Sequence, residues 1–288
     1  MPTVVVASDL HLGITQASTL SALADRIASE RPDLTILAGD IGERVENFVA
    51  CLDLFKRLPG DVAVLAGNHD VWARRGNASE DLWARLLPEA TRDAGMIWLE
   101  DTVWRQGDAA VAGSLAWYDY SARDDEVADL PAEYFIAHKG EYNIDARFVR
   151  WDWTDPEFAD MLGTALCGRL DALERDESVR SVIVVTHVPL FDVQMSRKPG
   201  DRRWGISSAY FGNLTLGARI LPYEKIQCVI SGHTHIGREG TVARPDGAEI
   251  PVAVIPSDYG SPAYIAIRDG QPDEPVVIEG EAVWPQPH

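Results

Sequence analysis

Residues 62–70 read Val62-Ala63-Val64-Leu65-Ala66-Gly67-Asn68-His69-Asp70. A short apolar run, too brief for a helix, describes a strand buried on both faces. The run stops at a glycine and then presents an amide, an imidazole and a carboxylate in consecutive positions. The same arrangement recurs to either side. Residues 3–8 end at Asp9-Leu10-His11-Leu12-Gly13, and residues 34–38 end at Gly39-Asp40. Residues 181–186 end at His187, and residues 226–230 end at Ser231-Gly232-His233-Thr234-His235. Helical patterns lie between them. Leu20, Leu23, Ala24 and Ile27 share one face, with Ser18 or Thr19 expected as the cap. Val45, Phe48, Val49, Leu52 and Phe55 share another, over about 44–57. Further helices are expected at 80–87 and 157–175. Short strands are expected at 96–99, 102–106, 109–113, 251–255 and 263–267, with a hairpin across Gly107-Asp108. This alternation predicts an α/β fold.

Two stretches break the pattern. Residues 114–160 hold Trp117, Tyr118, Tyr120, Tyr134, Trp151 and Trp153 among many acids and read as an insertion. Residues 188–225 read as long and irregular, with a basic cluster at Arg197, Lys198, Arg202 and Arg203. No interdomain linker is visible, so 1–288 is expected to be a single domain with 114–160 and 190–220 as cap or insert segments. The aromatic insert either packs its own core or caps the site, with Trp117-Tyr118-Asp119-Tyr120 nearest to it. The basic cluster either pairs with the protein's own acids or holds a substrate anion.

Composition narrows the function classes. Lys and Arg number 26 against 45 Asp and Glu, a formal net charge of −19. Such a surface repels phosphate backbones, which disfavours a nucleic-acid partner. No apolar run approaches the roughly 18–20 residues of a membrane helix, and the N-terminus lacks a signal-peptide pattern. Cys51, Cys167 and Cys228 are scattered without a CxxC, so neither a disulfide framework nor a thiolate cluster is expected, and a reducing cytoplasm fits. Nothing in the sequence fixes an oligomeric state.

The polar residues after the strands carry the functional signal. In open α/β sheets the carboxyl ends of strands form the ligand crevice. Of the seven histidines, five lie at these ends, and the strand ends also carry Asp9, Asp40 and Asn68; His138 and His288 read as incidental. Each segment alone is an ordinary turn, but together they describe a metal centre. The donors are carboxylate, imidazole and amide with no thiolate, which suits Mn²⁺, and also Fe, Zn²⁺ or Ni²⁺. They exceed the roughly four that one tetrahedral ion takes. Two ions sharing one bridging carboxylate account for the excess.

The set D-x-H, G-D, G-N-H-D, H and G-H-x-H across residues 9–235 resembles the calcineurin-like metallophosphoesterase family. The resemblance implies a four-layer α/β/β/α sandwich, two mixed sheets face to face with helices outside. It implies Asp9, His11 and His235 on one ion, Asn68, His187 and His233 on the other, Asp40 bridging, and His69 as an outer catalytic histidine. The segment Pro256-Ser257-Asp258-Tyr259-Gly260 is similar to the family's closing region. Where many members have a second Asp that orients the histidine, this chain has Glu43; either Glu43 or Asp70 is expected to orient His69. The implied reaction is hydrolysis of a phosphate ester by a metal-bridged hydroxide attacking phosphorus. His69 protonates the leaving oxygen, and Asn68 polarises phosphate as well as ligating. Two divalent ions leave the centre net positive, so it attracts an anion that the acidic surface repels. The expected substrate is a small-molecule phosphodiester. A phosphomonoester is the alternative, with a nuclease or a non-catalytic scaffold behind it.

Overall fold

The computed structural model describes residues 1–74, 76, 78–280 and 282; His288 lies outside them. In chain order the strands are β1 Val4–Ser8, β2 Leu34–Ala38, β3 Asp61–Leu65, β4 Ile97–Trp98, β5 Val103–Gln106, β6 Ala109–Ser114 and β7 Ser181–Thr186. They continue as β8 Ile226–Ser231, β9 Arg238–Ala243, β10 Glu249–Val254, β11 Ala263–Arg268, β12 Gln271–Pro272 and β13 Val276–Val277.

Two mixed sheets form. One runs β12-β11-β1-β2-β3-β4, with β13 also on β11; the other runs β5-β6-β7-β8-β10-β9. Strands β1 to β4 are parallel, with β11 antiparallel to β1. Strands β6, β7, β8 and β10 are parallel, flanked by antiparallel β5 and β9.

Alternate side chains decide the layering. Val4, Val6, Leu34, Ile36 and Leu65 meet Val111, Ile183, Val185 and Ile230 in a dry layer between the sheets. The opposite face of the first sheet, through Val5 and Ala7, packs on the helices Ala17–Ser29 and Val45–Phe55. The opposite face of the second sheet, through Ala110, Val182 and Val184, packs on the helices Asp155–Arg175 and Leu214–Ile220. The result is the α/β/β/α sandwich. It aims the carboxyl ends of the parallel strands of both sheets at one edge. Among the described residues no helix is long and apolar enough to cross a membrane.

Several local expectations need correction. The first helix begins at Ala17 with Gln16 as its N-cap and no side-chain cap, because Ser18 and Thr19 already lie inside the first turn. The helix expected at 80–87 is one helical stretch from Ser79 to Asp93 with a π turn at Leu82–Leu86. Pro88 lacks the N–H that an α turn would donate to Ala84, which accounts for the irregularity. Residues 188–225 are not irregular throughout: they hold Arg202–Ser207 and Leu214–Ile220, capped by Asp201 and Asn213.

The aromatic insert folds onto the first helical layer. Trp117, Tyr118, Tyr120 and Phe135 are fully or almost fully buried. Their polar tips end on two buried carboxylates. Asp155 accepts from Trp117 Nε1 at 2.8 Å, Tyr120 OH at 2.6 Å and Lys139 Nζ at 2.7 Å. It opens the long helix, where Thr154 and Glu157 form a capping box. Replacing Asp155 by Ala leaves three buried donors unpaired. We expect a loss of roughly 3–5 kcal/mol, read as a fall of about 10 °C in the unfolding midpoint of the metal-loaded protein. An unchanged midpoint would contradict this account of the insert.

Candidate metal centre

Five turns converge at the edge where the strands end: those after β1, β2, β3, β7 and β8. Their backbones are unusual. Asp9, His11, Asp40, His233 and His235 have φ of 56°, 47°, 51°, 71° and 57°. Left-handed backbone is uncommon for residues with a Cβ and costs on the order of 1–3 kcal/mol each. Cross-links between the turns hold it in place. Asp9 N–H donates to Gly39 O at 3.0 Å and His11 N–H to Asp40 O at 2.8 Å. His233 N–H donates to both Asp9 carboxylate oxygens at 3.1 Å, and His69 N–H to Asp40 Oδ1 at 2.8 Å. Two glycines permit the approach. A Cβ on Gly67 would overlap the Asp40 carboxylate and backbone N, and one on Gly232 would overlap Ser8 Oγ and the Asp9 carboxylate.

One group of donors comprises Asp9, His11, Asp40 and His235, whose ligand atoms lie within 4.8 Å of one another. His235 Nε2 is 3.3 Å from Asp9 Oδ1 and 3.3 Å from His11 Nε2. His11 Nε2 is 3.6 Å from Asp40 Oδ2. His235 Nδ1 faces Asp258 Oδ1 at 3.2 Å, which turns its Nε2 inward.

The other group comprises Asn68, His187 and His233. His187 Nδ1–H donates to Ala38 O at 2.9 Å, leaving Nε2 as its inward atom. His233 Nε2–H donates to Tyr210 O at 3.0 Å, leaving Nδ1 inward. Both inward nitrogens face Asn68 Oδ1, at 3.0 and 2.9 Å, and His187 Nε2 is 3.4 Å from Asp40 Oδ1. The Asn68 amide is held in that orientation because its Nδ2 donates to Asp145 Oδ1 at 3.0 Å. Lone pairs of two neutral imidazoles and an amide oxygen aimed at one point repel unless a proton or a cation lies among them. The donor set therefore fits divalent ions in both groups.

Protons take that place in the metal-free centre. Burial would raise Asp9, but the hydrogen bond and charge of His235 hold it at about 2. Burial would also raise Asp40, and the charges of His69 and His187 hold it well below the usual range. Burial opposes charge on His187 and His235, yet Asp40 lifts the first to about 9 and Asp9 lifts the second to about 9. Burial keeps His11 and His233 neutral, lowered to about 3 and about 4.

His69 lies beside the first group, its ring 4.8 Å from that of His11. Trp72 stacks on it at 3.7 Å. Its Nδ1 faces Glu43 Oε1 at 3.3 Å, and Glu43 also pairs with Arg74 Nη2 at 3.1 Å. Burial would lower His69, but the Asp40 charge and the Glu43 hydrogen bond raise it. Asp70 faces elsewhere, accepting from the backbone N–H groups of Ile41, Gly42 and Gly67. Burial and the nearby Asp40 push it up to about 7. His11, Glu43 and His69 also bring ligand-type atoms within 4.8 Å, but the Glu43 charge is already met by Arg74.

All nine residues singled out from the sequence thus meet at one edge, while the basic cluster does not join them. Arg197 pairs with Asp124 and Asp192, Arg203 donates to Glu141 O, and Lys198 Nζ sits 3.5 Å over the Trp204 ring. Sequence reading missed Asp145, Trp72 and Arg74 as neighbours of the centre, and named Asp258 only within the segment 256–260. Trp72 and Arg74 lie two and four residues past the end of G-N-H-D. Asp145 carries no local signal; it also accepts from Trp72 Nε1 at 2.7 Å and Tyr118 OH at 2.8 Å.

The family model for calcineurin-like phosphoesterases matches residues 2–237. The acyl-carrier-protein phosphodiesterase PptH of Mycobacterium tuberculosis is 26% identical over 250 residues, 82% of this chain and 73% of its own. The crystal structure of that phosphopantetheinyl hydrolase superposes with a TM-score of 0.69 at 22% identity, covering 90% of each chain. A dimetal phosphatase from Danio rerio superposes with a TM-score of 0.53 at 16% identity, covering 98% of this chain and 100% of its own. These two structural likenesses bear on the fold.

The geometry makes two predictions. His187 and His235, lifted from 6.5 to about 9, must lose protons before they ligate. Those protons stabilise the metal-free fold fully below about 6.5 and progressively less as pH rises through 9. Mn²⁺ affinity should therefore climb from pH 6.5 to 9, with proton release seen by calorimetry in buffers of different ionisation enthalpy. A flat profile without proton release would count against it. Asp145→Ala should free the Asn68 amide and weaken binding of one of two ions by roughly 10–100-fold. Two ions retained with wild-type affinity would remove Asp145 from this role.

Proposed function

We propose a phosphodiester substrate for this chain, which belongs to the calcineurin-like phosphoesterase family and is a metal-dependent phosphoesterase. The observation that carries the reading is the convergence of inward-facing acceptor atoms from five strand ends. In this proposal Asp9, His11 and His235 hold one divalent ion and Asn68, His187 and His233 the other. Asp40 lies between the groups, within 3.6 Å of His11 and 3.4 Å of His187. Mn²⁺ is the first choice, with Fe, Zn²⁺ and Ni²⁺ compatible with the same donors. When bound, such ions supply Lewis-acid stabilisation of phosphoryl oxygens and acidify water toward a pKa of about 7.

The chain's own groups do the rest. Glu43 holds His69 through Nδ1, which leaves Nε2 to carry a proton to the leaving oxygen. The neighbouring carboxylates that raise His69 favour its protonated form. Asn68 Nδ2 carries two hydrogens; one goes to Asp145 and the second is available to a phosphate oxygen. A diester is favoured over a monoester by the surroundings. Among the described residues, the cavity that adjoins Asn68 and His233 has no Lys or Arg side chain in its lining to meet a second phosphate charge. The likeness to the acyl-carrier-protein phosphodiesterase extends the proposal to a phosphopantetheinyl group esterified to a carrier protein.

The test compares bis-p-nitrophenyl phosphate with p-nitrophenyl phosphate after Mn²⁺ loading. We expect the diester to turn over at least tenfold faster. His69→Ala should lose roughly 10²–10⁴ in kcat with metal content unchanged. Preference for the monoester would replace this reading with a phosphomonoesterase. Loss of metal in His69→Ala would move that residue into the ligand set.

A further inference from the structure

The indole of Trp72 lies face to face with the imidazole of His69, ring centres 3.7 Å apart and planes 25° apart. Trp72 is 4% exposed. A buried indole is ordinarily core packing. Among the described residues, however, Trp72 is not a member of the apolar clusters on either side of the sheets or between them. Its ring neighbours are of another kind. Phe148 stacks on it at 4.6 Å, and the Arg74 guanidinium lies 5.0 Å from the Trp72 ring and 4.5 Å from that of Phe148. Arg74 Nη2 then pairs with Glu43 Oε2 at 3.1 Å, and Glu43 Oε1 faces His69 Nδ1 at 3.3 Å. Trp72, Arg74 and Glu43 thus close a loop of contacts that begins and ends on His69.

Glu43 alone leaves His69 under-determined. One hydrogen bond at Nδ1 fixes a point on the rim of the ring, and the ring can still tilt about that point. Contact over a whole face fixes the plane. Together the two constraints fix Nε2, which lies 3.8 Å from Asp40 Oδ2 at the border of the metal cluster.

The stack is anchored from outside the loop. Trp72 Nε1–H donates to Asp145 Oδ1 at 2.7 Å, and Ala73 N–H donates to Phe148 O at 2.7 Å. Asp145 and Phe148 bound one short helix of the aromatic insert. The Asp145 oxygen that receives Trp72 also receives Asn68 Nδ2, at 3.0 Å. One carboxylate therefore orients a metal donor and the indole that backs His69.

From this arrangement we infer that Trp72 is a positioning residue for His69, and that with Arg74 and Glu43 it holds the imidazole plane so that Nε2 meets the leaving oxygen. The inference rests on the reading of His69 as the proton donor. Misplacement of a reacting group by about 1 Å costs on the order of 10² in rate, so loss of the face contact should be felt in turnover more than in binding.

The test uses the Mn²⁺-loaded full chain with methyl p-nitrophenyl phosphate and methyl phenyl phosphate. Phenol is the poorer leaving group and depends more on receiving a proton. Trp72→Leu should lower kcat for the phenyl ester roughly tenfold more than for the p-nitrophenyl ester, with KM and metal content within about twofold of wild type. Trp72→Phe, which keeps a flat face, should recover most of that ratio. In a His69→Ala background, Trp72→Leu should change either rate by no more than about twofold, because the two residues act as one unit. Arg74→Met, at a side chain 26% exposed, should shift the ratio in the same direction, and it carries the test if Trp72→Leu does not fold. An unchanged ratio, Trp72→Phe as impaired as Trp72→Leu, or an undiminished loss in the absence of His69 would each overturn the inference while the parent reading stands. Equal losses on both esters in His69→Ala itself would defeat the parent reading, and the inference would fall with it.

Discussion

Like partial charges aimed at one another are the constraint on which the structure depends. His187 Nε2 and His233 Nδ1 each lie within 3.0 Å of Asn68 Oδ1, and Asp9, His11, Asp40 and His235 crowd beside them. No apolar packing rewards such a cluster; burial of these groups is costly by itself. It persists because the surrounding backbone is over-determined. Five residues in left-handed conformation are locked by hydrogen bonds between turns that belong to different strands, and glycines at 67 and 232 let those turns touch. Cations or protons then turn mutual repulsion into cohesion. The metal centre is thus also the tie that joins the ends of two sheets.

Two buried carboxylates extend that tie outward. Asp155 gathers Trp117, Tyr120 and Lys139, and Asp145 gathers Tyr118, Trp72 and Asn68. The aromatic insert is therefore both a packed core and a support for the centre, since Trp117 and Tyr118 stack 4.6 Å apart while their polar tips reach different acids. It reaches Asn68 through the Asp145 carboxylate. That makes the orientation of an amide in the centre sensitive to the packing of Tyr118 and Trp72, which donate to the same carboxylate.

The strand ends were legible because a parallel strand buried on both faces leaves a continuous apolar run, and the residue after it must lie at the crevice. The resemblance left Glu43 and Asp70 as alternatives beside His69, and it is Glu43 that lies 3.3 Å from its ring. What escaped has physical reasons. Arg202–Ser207 and Leu214–Ile220 have six and seven residues, too short for a helical period to declare itself. Their caps, Asp201 and Asn213, were the only local sign. Strand β9 is an edge strand with mostly exposed side chains, so it lacks the apolar alternation that marks buried strands. Asp145 is 77 residues from Asn68, and nothing in the chain near it distinguishes it from the many solvated acids of the insert.

Charge then assigns selectivity to the neutral parts of the protein. The molecule carries −19, and the cations near the centre are largely committed: Arg74 to Glu43, Arg197 to Asp124 and Asp192, and Lys198 to the face of Trp204. Attraction for a phosphate must come from the metal ions, and it is nearly the same for any ester that reaches them. Binding common to all substrates does not discriminate among them. Discrimination therefore falls to contacts with the organic part of the ester, at the walls that surround the centre.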